Sequence, residues 1–281
     1  MQFAVGLAQI AVASGNVAGN LDKHLAVIEQ ARDLGTDLLL FPELSLTGVD
    51  LFSHMPAVAR SNDSAELRRI AEAAADMDVV IGFVEDAGDG AYHNALAYFS
   101  RGRLSHVHRK IYLVSADPVN ERRFFTEGRS MSAFDTRFGR VAILNCEDAW
   151  HLGPAYLAML QGATILLTCA ATPSGPPTQL PDAELWLTVN RAYAVLLEVF
   201  NLFVNRAGDE GTMRFCGSSH AIGPRGDVRV AAEAAQEGVI RVVIDTADVA
   251  SQRDEVSYVR DERAAFTAHG LNRILGERGG E

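Results

Sequence analysis

The sequence predicts a single α/β domain in which sheets lie between helical layers. Stretches with a helical apolar period alternate with short apolar runs of strand length, no change of composition or linker divides the chain, and 48% of its 281 residues are hydrophobic, ample for a substantial core.

Residues 20–35 read as a helix: Asn20 can cap it, Leu21, Leu25 and Ile28 recur at i, i+4 and i+7, and Gly35 can end it. The run 37–41 is a buried strand stopped by Pro42. Asp63 and Glu66 stand at capping-box spacing ahead of Leu67, Ile70 and Ala74, which predicts a second helix over 63–75. Strands follow at 78–84, 93–100 and 103–111. Beyond an irregular charged segment (115–131), 140–144 is another buried strand, backed by a helix over 154–161 and followed by a strand over 163–168. Prolines 173, 176, 177 and 181 mark a loop, and a long helix fills 182–200. Strands near 202–206, 218–223, 227–232 and 238–244 complete a domain placed at residues 1–262. Residues 263–281, polar and Gly-rich from Asn272 onward, are assigned to a C-terminal tail or oligomerisation arm.

The charge balance narrows the partners. With 25 Lys and Arg against 36 Asp and Glu, a formal charge of -11, the chain repels a phosphate backbone unless it carries a local basic stripe. The most basic stretch, 101–110, has Arg101, Arg103, Arg109 and Lys110 in a strand-like pattern without interleaved aromatics, so nucleic acid is not an expected partner. Cys146, Cys169 and Cys216 are too few and too scattered for a disulfide framework, which fits a reducing compartment. Residues 3 to 10 are apolar but short and lack a basic leader, so no signal peptide or membrane contact is expected and the protein reads as cytoplasmic. No dinucleotide or P-loop glycine pattern occurs, and no cofactor is expected.

Three residues stand where chemistry is usually carried. Cys146 follows the buried strand and precedes a helix, an elbow that exposes a thiol; a helix N-terminus favours the thiolate, and the Glu147 backbone N–H can point at an oxyanion. A buried core cysteine is the plain alternative. Glu43 follows the run 38–41 and Pro42 at a strand's carboxyl end, where α/β sheets place ligands, although many glutamates are simply surface carboxylates. Lys110 closes the strand containing His106-Val107-His108-Arg109, as either an oxyanion partner or an ordinary solvated lysine. His106 and His108 share a strand face, but no third ligand accompanies them and no metal is expected.

Together these stretches carry a family resemblance. Phe41-Pro42-Glu43-Leu44 with Thr47-Gly48, His108-Arg109-Lys110-Ile111 and Asn145-Cys146-Glu147-Asp148 resemble, in order and spacing, the Glu, Lys and Cys motifs of the nitrilase superfamily. Glu121-Arg122-Arg123-Phe124-Phe125, followed by Gly128, resembles the segment that supplies a second active-site glutamate. The resemblance continues through Asn205-Arg206-Ala207-Gly208, Gly217-Ser218-Ser219 and Pro224-Arg225-Gly226, covering about residues 3–246.

The resemblance implies a four-layer α-β-β-α sandwich, commonly a homodimer or higher homo-oligomer joined through its helical layers. It also implies hydrolysis of a small-molecule amide or carbamoyl C–N bond through a cysteine thioester, with neither metal nor cofactor. Cys146 is then the nucleophile, Glu43 the general base, Lys110 with the Glu147 N–H the oxyanion holder, and Glu121 a supporting carboxylate. Glu147-Asp148-Ala149-Trp150 departs from the aromatic residue that follows the nucleophile in many relatives and is similar to the glutamine-hydrolysing branch fused to NAD synthetases. Without a synthetase half, a stand-alone amidase is the nearer reading. Acyl transfer from the same thioester, nitrile hydrolysis and a non-catalytic dimeric scaffold are the rivals. Selectivity is assigned to the loops near 50–58, 115–120 and 171–181.

Overall fold

The computed structural model describes residues 1–49, 55–115, 120–174, 182–211, 213–256 and 258–278. The first part of the chain forms β1 (Gln2–Gln9), α1 (Val17–Asp33), β2 (Leu38–Leu40), α2 (Met55–Val58), α3 (Ala65–Ala73), β3 (Asp78–Asp86), β4 (Tyr92–Ser100) and β5 (Arg103–Arg109). Then come β6 (Ala133–Thr136), β7 (Gly139–Asn145), α4 (Leu152–Leu160), β8 (Ile165–Ala170), β9 (Pro173–Ser174), α5 (Ala183–Leu196) and β10 (Phe200–Asn205). The remainder is β11 (Ala207–Glu210), β12 (Met213–Cys216), β13 (His220–Ile222), β14 (Val228–Ala231), β15 (Gly238–Asp245), α6 (Ala247–Glu255) and α7 (Ala264–Arg278).

Two six-stranded sheets result, ordered β15-β1-β2-β3-β4-β5 and β14-β13-β10-β8-β7-β6, with a small third sheet β11-β12-β9. Each large sheet has parallel strands at its centre and antiparallel strands outside them. Strand alternation explains the layering. In β2, Leu38 and Leu40 face the other sheet, joining Val5, Leu7, Ile143, Leu167 and Leu202 in the inner core. Leu39 and the following Phe41 point outward, into a second core with Leu21 and Ile28 of α1 and Leu67 and Ile70 of α3. On the far side, Leu144 and Leu166 pack under Ala155 and Ala158 of α4 and Trp186 and Tyr193 of α5. This is the α-β-β-α sandwich in one domain. Because the central strands are buried on both faces, their sequences read as continuous apolar runs.

Several elements differ locally from the sequence reading. The short apolar stretch of residues 3 to 10 lies within and just beyond β1, paired between β15 and β2. Helix α1 begins at Val17 with Asn16 as its cap, while Asn20 is buried and ties Ala13 to Leu46 through its side-chain amide. Ser64, rather than Asp63, caps α3. The hairpin β11–β12 lacks apolar alternation, and the stretch assigned to a C-terminal tail or oligomerisation arm holds α7, helical from Ala264 to Arg278. Among the described residues, no helix is long and apolar enough to cross a membrane.

The turn after β2 packs directly on β3. The Leu46 N–H donates to Gly82 O (2.9 Å), the Ser45 hydroxyl lies 3.3 Å from the Gly82 N–H, and a Cβ on Gly82 would collide with Pro42 O and Leu44 N. Only glycine lets this turn, which carries Glu43, lie so close. We expect Gly82→Ala to lower the unfolding free energy by about 1–3 kcal/mol, as overpacking does, read as a lower denaturation midpoint.

Candidate active site

Chain segments leaving three strands converge at one end of the paired sheets. Glu43 follows β2 and Lys110 follows β5, both in the first sheet, whereas Cys146 follows β7 in the second. Glu121 arrives on a 3-10 turn, Glu121–Arg123, inside the charged segment that sequence left irregular. Cys146 is 7% exposed and the other three are 4% or less.

Charge pairing makes that burial tolerable. Lys110 Nζ lies 2.6 Å from Glu43 Oε1 and 2.7 Å from Glu121 Oε2. A lone ammonium in such a place would cost several kcal/mol. Burial works against the Lys110 charge, but the Glu121 and Glu43 carboxylates outweigh it and hold the ammonium well above its ordinary range. For Glu121, burial pushes the carboxyl up, against the pull of Lys110. Further donors complete the pair: Ala171 N–H to Glu43 Oε2 (2.9 Å), Val114 N–H to Glu121 Oε2 (2.9 Å), and the Asn94 amide to both Oε1 atoms.

Cys146 has φ +49°, a left-handed conformation that costs a non-glycine residue on the order of 1 kcal/mol and persists where its surroundings enforce it. Its Sγ stands 3.6 Å from Thr172 Oγ1, which accepts a hydrogen bond from the buried Trp186 indole at 3.2 Å. Burial, then the nearby Glu43 charge, pushes the thiol well above its usual range, with Lys110 opposing. The α-helix expected directly behind Cys146 starts later: a short 3-10 turn, Cys146–Trp150, begins at the cysteine and α4 only at Leu152, so no α-helix N-terminus stands at the sulfur to favour a thiolate. The Glu147 N–H belongs to the first residues of that turn, whose N–H groups have no partner within it.

Asp148 fastens this turn to the segment carrying Lys110. Its Oδ1 accepts the N–H groups of Ile111 and Tyr112, each at 2.9 Å. Its Oδ2 accepts Asn145 N–H (3.1 Å) and meets His108 Nε2 at 2.7 Å. His108 thus serves Asp148, and His106 stacks on Phe134 with ring centroids 4.1 Å apart, its pKa lowered to about 4 by burial. Among the described residues no cluster of three or more His, Cys, Asp or Glu is arranged to hold a metal. Arg109, beside Lys110 in the basic stretch, is bidentate on buried Glu85. Cys169 is in the inner core, and Cys216 ends β12.

A cleft of about 390 Å³, counting its open mouth, leads to the cluster. Leu44, Val49, Val114, Trp150 and Pro173 supply apolar walls, with Glu147 among them. Of the loops expected to govern selectivity, 50–54, 116–119 and 175–181 lie outside the described residues. Sequence reasoning missed Asn94 and Thr172 and assigned Asp148 no role. For Asn94 a faint signal existed, an amide at the start of the apolar run 95–99; for Thr172, beside a proline-rich loop, there was none.

A family model for carbon-nitrogen hydrolases matches residues 4–254. The chain belongs to the carbon-nitrogen hydrolase family. A probable nitrilase of Schizosaccharomyces pombe is 27% identical over 256 residues, 88% of this chain and 90% of that protein. A glutamine-dependent NAD(+) synthetase of Thermotoga maritima is 29% identical over 248 residues, 86% of this chain but 42% of the synthetase, so the hydrolase spans less than half of that relative's length. An amidase of the nitrilase superfamily from Nesterenkonia shares the fold, with a TM-score of 0.80 at 22% identity over 95% of this chain and 96% of the other.

In this carbon-nitrogen hydrolase, Asp148→Asn turns an acceptor that four donors share into a group with a donor of its own. It should lower the unfolding free energy by about 2 kcal/mol, whereas His108→Gln, which keeps a donor, should cost less than about 1 kcal/mol. Chemical denaturation of both variants measures the difference.

Proposed function

We propose that this hydrolase cleaves the C–N bond of a small-molecule amide or carbamoyl compound through a Cys146 thioester. The observation that carries the reading is the buried Glu43–Lys110–Glu121 cluster beside Cys146 at the end of a narrow cleft. An amide carbonyl is a weak electrophile, and its attack at neutral pH calls for a strong nucleophile, a placed base and fixed positive charge where the oxyanion forms.

Glu43 takes the thiol proton as sulfur attacks the carbonyl carbon. The resulting oxyanion is held by the Lys110 ammonium and the Glu147 N–H. Glu43 then passes its proton to the departing nitrogen, so the C–N bond breaks, ammonia or an amine leaves, and the acyl group stays on sulfur. Water loses a proton to Glu43 while attacking the thioester, and collapse returns the proton to sulfur and releases the acid. Glu121 steadies Lys110 by sharing its charge. No step calls for a metal or cofactor. The relatives include both a probable nitrilase and an enzyme that uses glutamine, which supports C–N chemistry without choosing a substrate.

Exposed leucines on α4 (Leu152, Leu157, Leu160) and α5 (Leu185, Leu196) support a homodimer formed through that helical layer. Light scattering at micromolar concentration should give twice the chain mass for wild type and a smaller mass for Leu152→Glu/Leu196→Glu.

The chemical test pairs intact-mass spectrometry with ammonia release across small amides, carbamoyl compounds and nitriles. Wild type should release ammonia and carry an acyl adduct that Cys146→Ala lacks, and Lys110→Met should lose about 10²–10³ in kcat. A native amine acceptor that outcompetes water for the adduct would turn the reading into acyl transfer. A Cys146 that alkylates readily while no compound gives adduct or ammonia would sink it.

A further inference from the structure

One residue outside the Glu, Lys and Cys motifs bonds to both carboxylates and to the segments that carry Lys110 and Cys146. Asn94 lies near the start of β4, between β3 and β5. Its Nδ2 donates to Glu43 Oε1 at 2.8 Å and to Glu121 Oε1 at 2.7 Å. Its Oδ1 accepts from Asn145 Nδ2 at 2.9 Å, next to Cys146, and its backbone carbonyl accepts the Lys110 N–H at 2.9 Å. The orientation of the amide is dictated by chemistry, since ionised carboxylates only accept and the NH₂ end must face them. Asn94 is fully buried, so water does not substitute for these bonds.

The oxygens are used unequally. Glu43 Oε1 takes both Asn94 and Lys110, whereas Oε2 takes the single N–H of Ala171. Glu121 accepts Asn94 on one oxygen, and Lys110 and the Val114 N–H on the other.

We propose that Asn94 is a positioning residue that assigns the two carboxylates their tasks: by occupying Oε1 of both, it leaves Glu43 Oε2 as the proton acceptor for Cys146 and keeps Glu121 as the counter-charge to Lys110. The proposal rests on the amide-hydrolysis reading. The titratable groups that face this pair are Lys110 from the end of β5, Cys146 from the end of β7 and Cys169 from β8; Lys110 shares Glu43 Oε1 with Asn94 but meets Glu121 at Oε2, so the hydrogen on Glu121 Oε1 comes from Asn94.

Removing the two donors disfavours the ionised carboxylate pair, so the acidic limb of kcat/KM against pH should move to higher pH by about one unit. Asn94→Ala should lower kcat about 100-fold and change KM by no more than about threefold. Asn94→Asp keeps the shape if the alanine variant does not fold, and a third carboxylate should move the limb further in the same direction. The same variants are titrated with iodoacetamide, following Cys146 alkylation against pH, which requires no substrate. A folded variant with the wild-type acidic limb, the wild-type alkylation profile and kcat within threefold overturns the proposal. Should wild type turn over no amide at all, the hydrolysis reading fails by itself, and the alkylation profiles still decide Asn94: a shift supports its role and coincidence with wild type refutes it.

Discussion

A single ammonium group held between two carboxylates, away from water, sets the terms for the rest of this structure. Lys110 stays charged there only because Glu43 and Glu121 lie within 2.7 Å of it. Those carboxylates in turn need donors, and they draw them from Asn94 in β4, the Ala171 N–H after β8 and the Val114 N–H beyond Lys110. Each requirement pins another segment to the same point. A buried ion pair is weak grounds for stability, since apolar replacements often serve better, and its presence here is better understood as a cost met for chemistry.

The point where these segments meet is the seam between two sheets. The inner core, built from alternate residues of β2, β7, β8 and β10, fixes the distance between the sheets, so Glu43 and Lys110 on one side are held in register with Cys146 on the other. Close packing resists small displacements, which suits a cluster whose contacts tolerate errors of only a few tenths of an ångström. Local devices refine the placement. Gly82 lets the Glu43 turn lie against β3, and Asp148 joins the backbone after Lys110 to the turn after Cys146. The small sheet reaches the cleft as well: β9 contributes Pro173 to its wall, and Glu210 at the end of β11 accepts the N–H of Val49 at 3.2 Å.

The electrostatics place the working proton. Burial and the Glu43 charge push the Cys146 thiol up against the pull of Lys110, so in the proposed reaction the nucleophile is made as substrate arrives. A carboxylate with one lightly used oxygen is suited to that transfer, and a cation already balanced by two carboxylates can hold an additional oxyanion without moving. The proposed reaction would therefore call for little rearrangement of the site, the property expected of a preorganised electrostatic centre.

The sequence by itself determined the layered α/β class, the family and three of the four clustered side chains. Apolar runs of strand length report burial on both faces, and Glu43 and Cys146 each stand just beyond such a run, while Lys110 closes a polar, basic strand at the sheet edge. Glu121 was reached through its motif alone, since nothing in a charged run such as Glu121-Arg122-Arg123 distinguishes a buried carboxylate from solvated neighbours. Tertiary structure decided the rest. Asn94 reaches Glu43 and Glu121, Thr172 reaches Cys146 and Asp148 reaches Ile111 across 26 or more positions of chain, and a hydrogen bond between distant segments leaves no periodic trace. The protonation of Cys146 was likewise decided there, because local sequence suggests a helix terminus that favours thiolate, while the pull of burial and of a carboxylate 103 positions earlier exists only once the two sheets are packed together.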